Sequence, residues 1–72
     1  MTNTSLLKDY IRKSGLKLTY IAERLGVSRY TLYRKINGLM DFTQHEITAM
    51  CELLGIKDLE TKEAIFFASV VD

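Results

Sequence analysis

A chain of 72 residues that is 47% hydrophobic and 26% charged, with no proline and four glycines, has an ordinary globular composition. This excludes a disordered, fibrous or collagen-like chain. At this length folding hides only about 60% of the unfolded surface, so a single domain over residues 1–72 with one thin core is expected. The net charge of +1 conceals an asymmetry. Residues 1–37 hold eight Lys/Arg against Asp9 and Glu23, a balance of +6, and residues 38–72 hold Lys57 and Lys62 against seven Asp/Glu, a balance of −5. The basic half favours a phosphate backbone or an acidic protein surface.

No stretch approaches the roughly 20 apolar residues of a membrane span. The opening "MTNTSLLKDY" lacks the basic flank, apolar run and small-residue cleavage site of an export signal. A cytoplasmic location without membrane contact is expected. Cys51 is the only cysteine, so no intrachain disulfide is expected.

Glycines punctuate helical patterns throughout, and the chain reads as all-α. The first helix is predicted from about Ser5 to Ser14, with Leu7, Tyr10 and Ile11 at the spacing of a buried stripe and Gly15 past its end. The second covers about 17–25, with Leu18, Ile21, Ala22 and Leu25 on one face and Gly26 following. The third spans about 28–37, starting behind the N-cap Ser28 and stopping at Asn37 and Gly38. For the fourth, Thr43 to Glu46 reads as a capping box, in which threonine and glutamate satisfy each other's free amides. Its stripe follows as Ile47, Met50, Cys51 and Leu54, and Gly55 ends it. A last short helix, about Leu59 to Ala68, begins behind Asp58 and turns Ile65 and either Phe66 or Phe67 inward. No repeat, linker or low-complexity segment interrupts these elements.

The stretch "RLGVSRYTLYRKING" has the layout of a helix-turn-helix. That motif needs a small residue where two helices cross, a glycine in the tight turn, and apolar anchors between the helices. Ala22 sits at the crossing, Gly26 lies in the turn, and Leu18, Ile21, Leu25, Val27 and Leu32 are the anchors. With a helix before it and a capped helix after it, the chain resembles the five-helix, lambda-repressor-like domain of phage repressor and Cro proteins over nearly its whole length.

At about 100° per residue, Leu32 and Ile36 fall on the inner side of the third helix, while Arg29, Tyr30, Tyr33, Arg34 and Asn37 spread over the outer side. In the family this face enters the DNA major groove, where arginine pairs with guanine and asparagine contacts phosphate or adenine. The resemblance thus implies Ser28, Arg29, Tyr30, Arg34 and Asn37 as DNA contacts. Tyrosine reads base edges poorly but anchors protein interfaces well.

Three departures from the family favour a protein partner. Leu18 stands where a polar phosphate contact is common, and Lys35 stands where an apolar anchor is usual, with Ile36 one place on. That last departure predicts a rotated end to the third helix. The following loop carries Leu39, Met40 and Phe42 beside Asp41 in place of basic or polar residues. Tyr20, Tyr30, Tyr33, Leu39, Met40 and Phe42, rimmed by Arg29, Arg34, Asn37 and Asp41, form the expected partner-binding patch. Two rings have alternative placements. Phe42 either joins the patch or staples across the Thr43 cap onto Ile47; Tyr33 either stands outward or tucks under the first helix. Lys8, Arg12 and Lys13 read as a solvated face, and Tyr10 as core.

His45 and Cys51 lack the further ligands a metal needs, and Cys51 lies in an apolar stripe as an inert thiol. No Gly-rich phosphate loop, carboxylate pair or nucleophile–base arrangement is present, so no enzyme, cofactor, metal or small-molecule ligand is expected.

In length, in "GVSRYTLYRKING" and in the ending "AIFFASVVD", the chain is similar to Cro-like regulators of temperate-phage switch regions, most closely the modulator-of-repression group of lactococcal phages. That resemblance implies an antirepressor acting in the cytoplasm of a bacterial host cell. Such a protein binds the N-terminal DNA-binding domain of a CI-type repressor and keeps it off its operators, with Asp41 and Glu46 available to that domain's basic surface. The alternative is a Cro-type repressor reading operator DNA through the third helix, and the +6 half is its best support. "FFASVVD" either closes the core or pairs with a second copy.

Overall fold

The computed structural model describes residues 1–68, which form five α-helices and no strand. They are α1 (Thr4–Ser14), α2 (Leu18–Leu25), α3 (Arg29–Ile36), α4 (Gln44–Leu54) and α5 (Leu59–Phe66). Each start follows from local chemistry. Asn3, Ser28, Thr43 and Asp58 hold extended backbone and accept a hydrogen bond from an amide of the first turn. At Thr43 the reciprocal bond, donated by the Thr43 amide to the Glu46 carboxylate, completes the predicted capping box.

α2 differs. Lys17 lies outside the helix as an N-cap with no side-chain bond, so the element begins one residue later than its apolar pattern implies. α5 also ends early, at Phe66, leaving Phe67 as C-cap and Ala68 beyond it. Residues 69–72 of the "FFASVVD" ending lie outside the described residues.

The core takes one side chain with no accessible surface from every helix: Leu7, Ile21, Leu32, Met50 and Ile65. Ile11, Ala22, Leu25, Ile36, Phe42, Ile47, Cys51, Ile56 and Phe66 complete it. Leu18, Leu54 and Tyr10 pack at its edge, half-buried. α2 packs on α3 and α4, and α1 lies against α3, α4 and α5.

The turn between α2 and α3 relies on Gly26 at φ +76°, a left-handed conformation that a Cβ disfavours. The amide of Val27 then donates to the Ala22 carbonyl at 3.0 Å. After α3, Gly38 at φ +77° also lets the chain pass close to α1, since a Cβ there would sit 3.3 Å from the Thr4 methyl. The two ends of the described chain are tied together: the Asn3 amide donates to the Ile65 carbonyl at 2.7 Å, and the Ala68 amide to the Met1 carbonyl at 2.9 Å.

Two expectations are corrected here. Phe42 is not part of an outward patch: it is 8% exposed and meets the Phe66 ring edge-on, with centroids 5.4 Å apart and planes at 83°. Aromatic edges and faces attract in this geometry, which ties the α3–α4 loop to α5. Glu46 is also buried, and its carboxylate receives the Lys35 ammonium and, at 2.9 Å, the Thr43 amide. It is therefore unavailable to a partner. This pair also explains how Lys35 occupies an anchor position: Lys35 and Ile36 are both buried, one neutralised by Glu46 and the other in the apolar core.

Candidate recognition surface

The outer face of α3 is set by what the inner face must bury. Leu32, Lys35 and Ile36 point into the domain, so helical geometry turns Arg29, Tyr30 and Tyr33 to solvent. Tyr30 is 67% exposed and Tyr33 57%, so neither ring is buried. Tyr20 on α2 and Leu39 and Met40 in the loop after α3 are exposed as well, and so is Asp41. Of the residues expected in the patch, only Phe42 has moved into the core.

Two polar side chains of the same face, Ser28 and Asn37, are hydrogen-bonded within the domain. The Ser28 hydroxyl accepts the Thr31 amide at 3.0 Å and donates to the Thr31 hydroxyl. Asn37 donates its side-chain amide to the Tyr33 carbonyl at 2.8 Å, and its side-chain oxygen accepts the Lys8 ammonium at 2.8 Å. It closes the end of α3 and links it to α1. Arg34 is half-buried, with its guanidinium carbon 5.8 Å from the Tyr30 ring centroid and its Nε buried without a hydrogen-bond partner. A cation over a ring face is attracted by the ring quadrupole, so Arg34 and Tyr30 act as one plate. Arg29 is the exposed cation at the start of the helix.

Two depressions flank this face and share Leu18 as a wall. One, about 350 Å³, is lined by Lys8, Ile11, Leu18, Tyr33, Ile36 and Asn37. The other, about 310 Å³, is lined by Lys17, Leu18, Thr19 and Arg29.

Beneath the face, burial pulls the Glu46 carboxyl toward a higher pKa. Hydrogen bonds from Lys35 and Thr43 and the Lys35 charge outweigh this and hold it below its ordinary 4.5. Elsewhere, burial pushes the Cys51 thiol up, opposed in part by the Lys62 charge, as befits an unreactive sulfhydryl. His45 is exposed, and no group of three potential metal ligands forms among the described residues. Among those residues no helix is long and apolar enough to cross a membrane.

Sequence reasoning missed three features of this region: the Lys35 and Glu46 pair, the Lys8 and Asn37 bond, and the cleft beside Leu18. The first leaves a trace, because a lysine at an anchor position calls for a counter-charge and the capping box puts Glu46 in the first turn of the next helix. The Lys8 bond joins residues 29 apart and left none.

A family model described as helix-turn-helix matches residues 7–60 of the chain. That span runs from α1 into the start of α5 and contains the whole outer face of α3. Comparison with curated proteins and with solved structures gave no match.

Proposed function

Because this chain belongs to the helix-turn-helix family, we propose that it works through the face such domains present to DNA, but as an antirepressor directed at another regulator. It binds the N-terminal DNA-binding domain of a CI-type phage repressor and blocks operator binding, as its resemblance to the modulator-of-repression group implies. One observation carries this reading. The rings of Tyr20, Tyr30 and Tyr33, with Leu39 and Met40, are exposed around α3, while the side chains of Ser28 and Asn37 are hydrogen-bonded within the domain and Arg34 lies against the Tyr30 ring. A surface of that kind gains more from desolvating rings against protein than from hydrogen-bonding base edges. Asp41, exposed at the loop, remains as the acidic contact for the repressor's basic surface.

A second reading rests on Arg29, exposed at the first position of α3 in the half that carries +6: a Cro-type repressor reading operator DNA in the major groove. One titration separates the two. The ¹⁵N-labelled protein receives switch-region operator DNA and, separately, the N-terminal domain of a CI-type repressor from a lactococcal temperate phage. The antirepressor reading expects α3 and loop resonances to move with the repressor domain and not with DNA. If DNA alone moves them, with affinity falling by about 0.9 log unit per phosphate contact for each log unit of salt, the second reading replaces it.

A further inference from the structure

Leu18 divides two depressions whose floors and rims differ in chemistry. The larger has an apolar floor of Ile11 and Ile36, walls formed by Leu18 and Tyr33, and Lys8 at its mouth. The smaller carries Lys17 and Arg29 on its rim, and no acidic side chain lines either one. Lys8 gives one donor to Asn37, leaving two of its three ammonium hydrogens for an incoming group. A volume of about 350 Å³ exceeds the roughly 150 Å³ that holds a benzene ring in a protein cavity.

These features describe an apolar socket with cationic lips. We infer that the cleft between α1, α2 and α3 receives one aliphatic or aromatic side chain of a protein partner, with a carboxylate of the same partner segment set against Lys8. The choice of occupant follows from charge and solvation. A phosphate seated on Ile11 and Ile36 would lose water without gaining donors there, whereas an apolar side chain gains by leaving water on the same floor. The three rim cations then select a partner segment in which that side chain has an acidic neighbour. The inference deepens the antirepressor reading and rests on it for the partner's being a protein. In it, Leu18, at the position of a common phosphate contact in the resembled family, becomes the wall of a side-chain socket.

The probe is 3-phenylpropionate, an apolar ring joined to a carboxylate, added to the full 72-residue protein and followed by methyl and amide NMR. The expected result is saturable movement of the Leu18, Ile11 and Ile36 methyls in the millimolar range. The uncharged 3-phenylpropanamide should bind about threefold more weakly, and Lys8→Gln should abolish that difference. Leu18→Gln, or Tyr33→Ala at the exposed wall, should eliminate the Ile11 and Ile36 response while the dispersed spectrum of the folded domain persists. Two results overturn the inference: unmoved cleft methyls, or inorganic phosphate moving those methyls as strongly as the probe does. Failure of the proposed function reads differently. If the repressor domain does not bind the wild-type chain, the antirepressor reading falls, whatever the probe does. If it binds wild type and Leu18→Gln equally and the probe does not bind, only the socket falls.

Discussion

The face around α3 and the junction beneath it, where α3 meets α4, are built from the same residue types used in opposite ways. On the face, rings stand in water and cations rim them: Tyr30 and Tyr33 are exposed, and Arg29 is free at the helix start. At the junction, a cation is withdrawn from water where Lys35 pairs with Glu46, and in the loop joining the two helices a ring is withdrawn where Phe42 packs edge-on against Phe66 of α5. Side-chain chemistry therefore does not separate the exposed face from the scaffold in this domain. The separation comes from which side of α3 a residue occupies and whether a partner lies within reach.

That contrast is most exposed to test at Phe42. Phe42→Ala removes a core ring and is expected to cost about 4 kcal/mol of stability in chemical denaturation. Loss of partner affinity with stability unchanged would return Phe42 to the outward patch.

Next in size is Glu46→Ala, expected to cost about 3 kcal/mol because it leaves the Lys35 ammonium buried without its counter-charge and opens the capping box. The double variant Lys35→Met with Glu46→Gln should recover most of that loss, since an apolar side chain at position 35 no longer needs an acid. The same pair sets a pH dependence. The Glu46 carboxyl in the folded protein lies below its ordinary 4.5, so its contribution is complete above about that pH and is lost as pH falls through the depressed value. Unfolding midpoints measured against pH should show this acid decline in the wild type and a shallower one in Glu46→Gln.

On the outer face the expectation reverses. On the proposed antirepressor function, Tyr30→Ala or Tyr33→Ala should leave thermal stability nearly unchanged while weakening binding of the repressor domain by about 2 kcal/mol in calorimetry. A large fall in melting temperature with affinity intact would show these rings to be scaffold. The smallest effect is expected at Asn37, which belongs to both regions. Asn37→Ala loses the bonds to the Tyr33 carbonyl and to Lys8, both near the surface, and should cost about 1 kcal/mol of stability.

The helices and their punctuation were legible without coordinates because their causes are local. Apolar spacing turned Leu7, Ile21, Leu32, Met50 and Ile65 to one side of each helix, Ser28, Thr43 and Asp58 met amides three residues on, and Gly26 supplied the left-handed turn. Lys17 shows the edge of that legibility: the apolar pattern reaches it, but its backbone is extended and the first helical residue is Leu18.

The placement of Phe42, Glu46, Lys35 and Asn37 required the packed chain. Each depends on a group brought near by the meeting of two elements, such as the Lys8 ammonium 29 residues from Asn37 or the Phe66 ring of α5 against the loop after α3. Helical periodicity reports which side of its own axis a residue occupies. Whether that side faces water, an apolar wall or a counter-charge is decided only when the helices close on one another, and the energy of a ring or a charge depends on that answer.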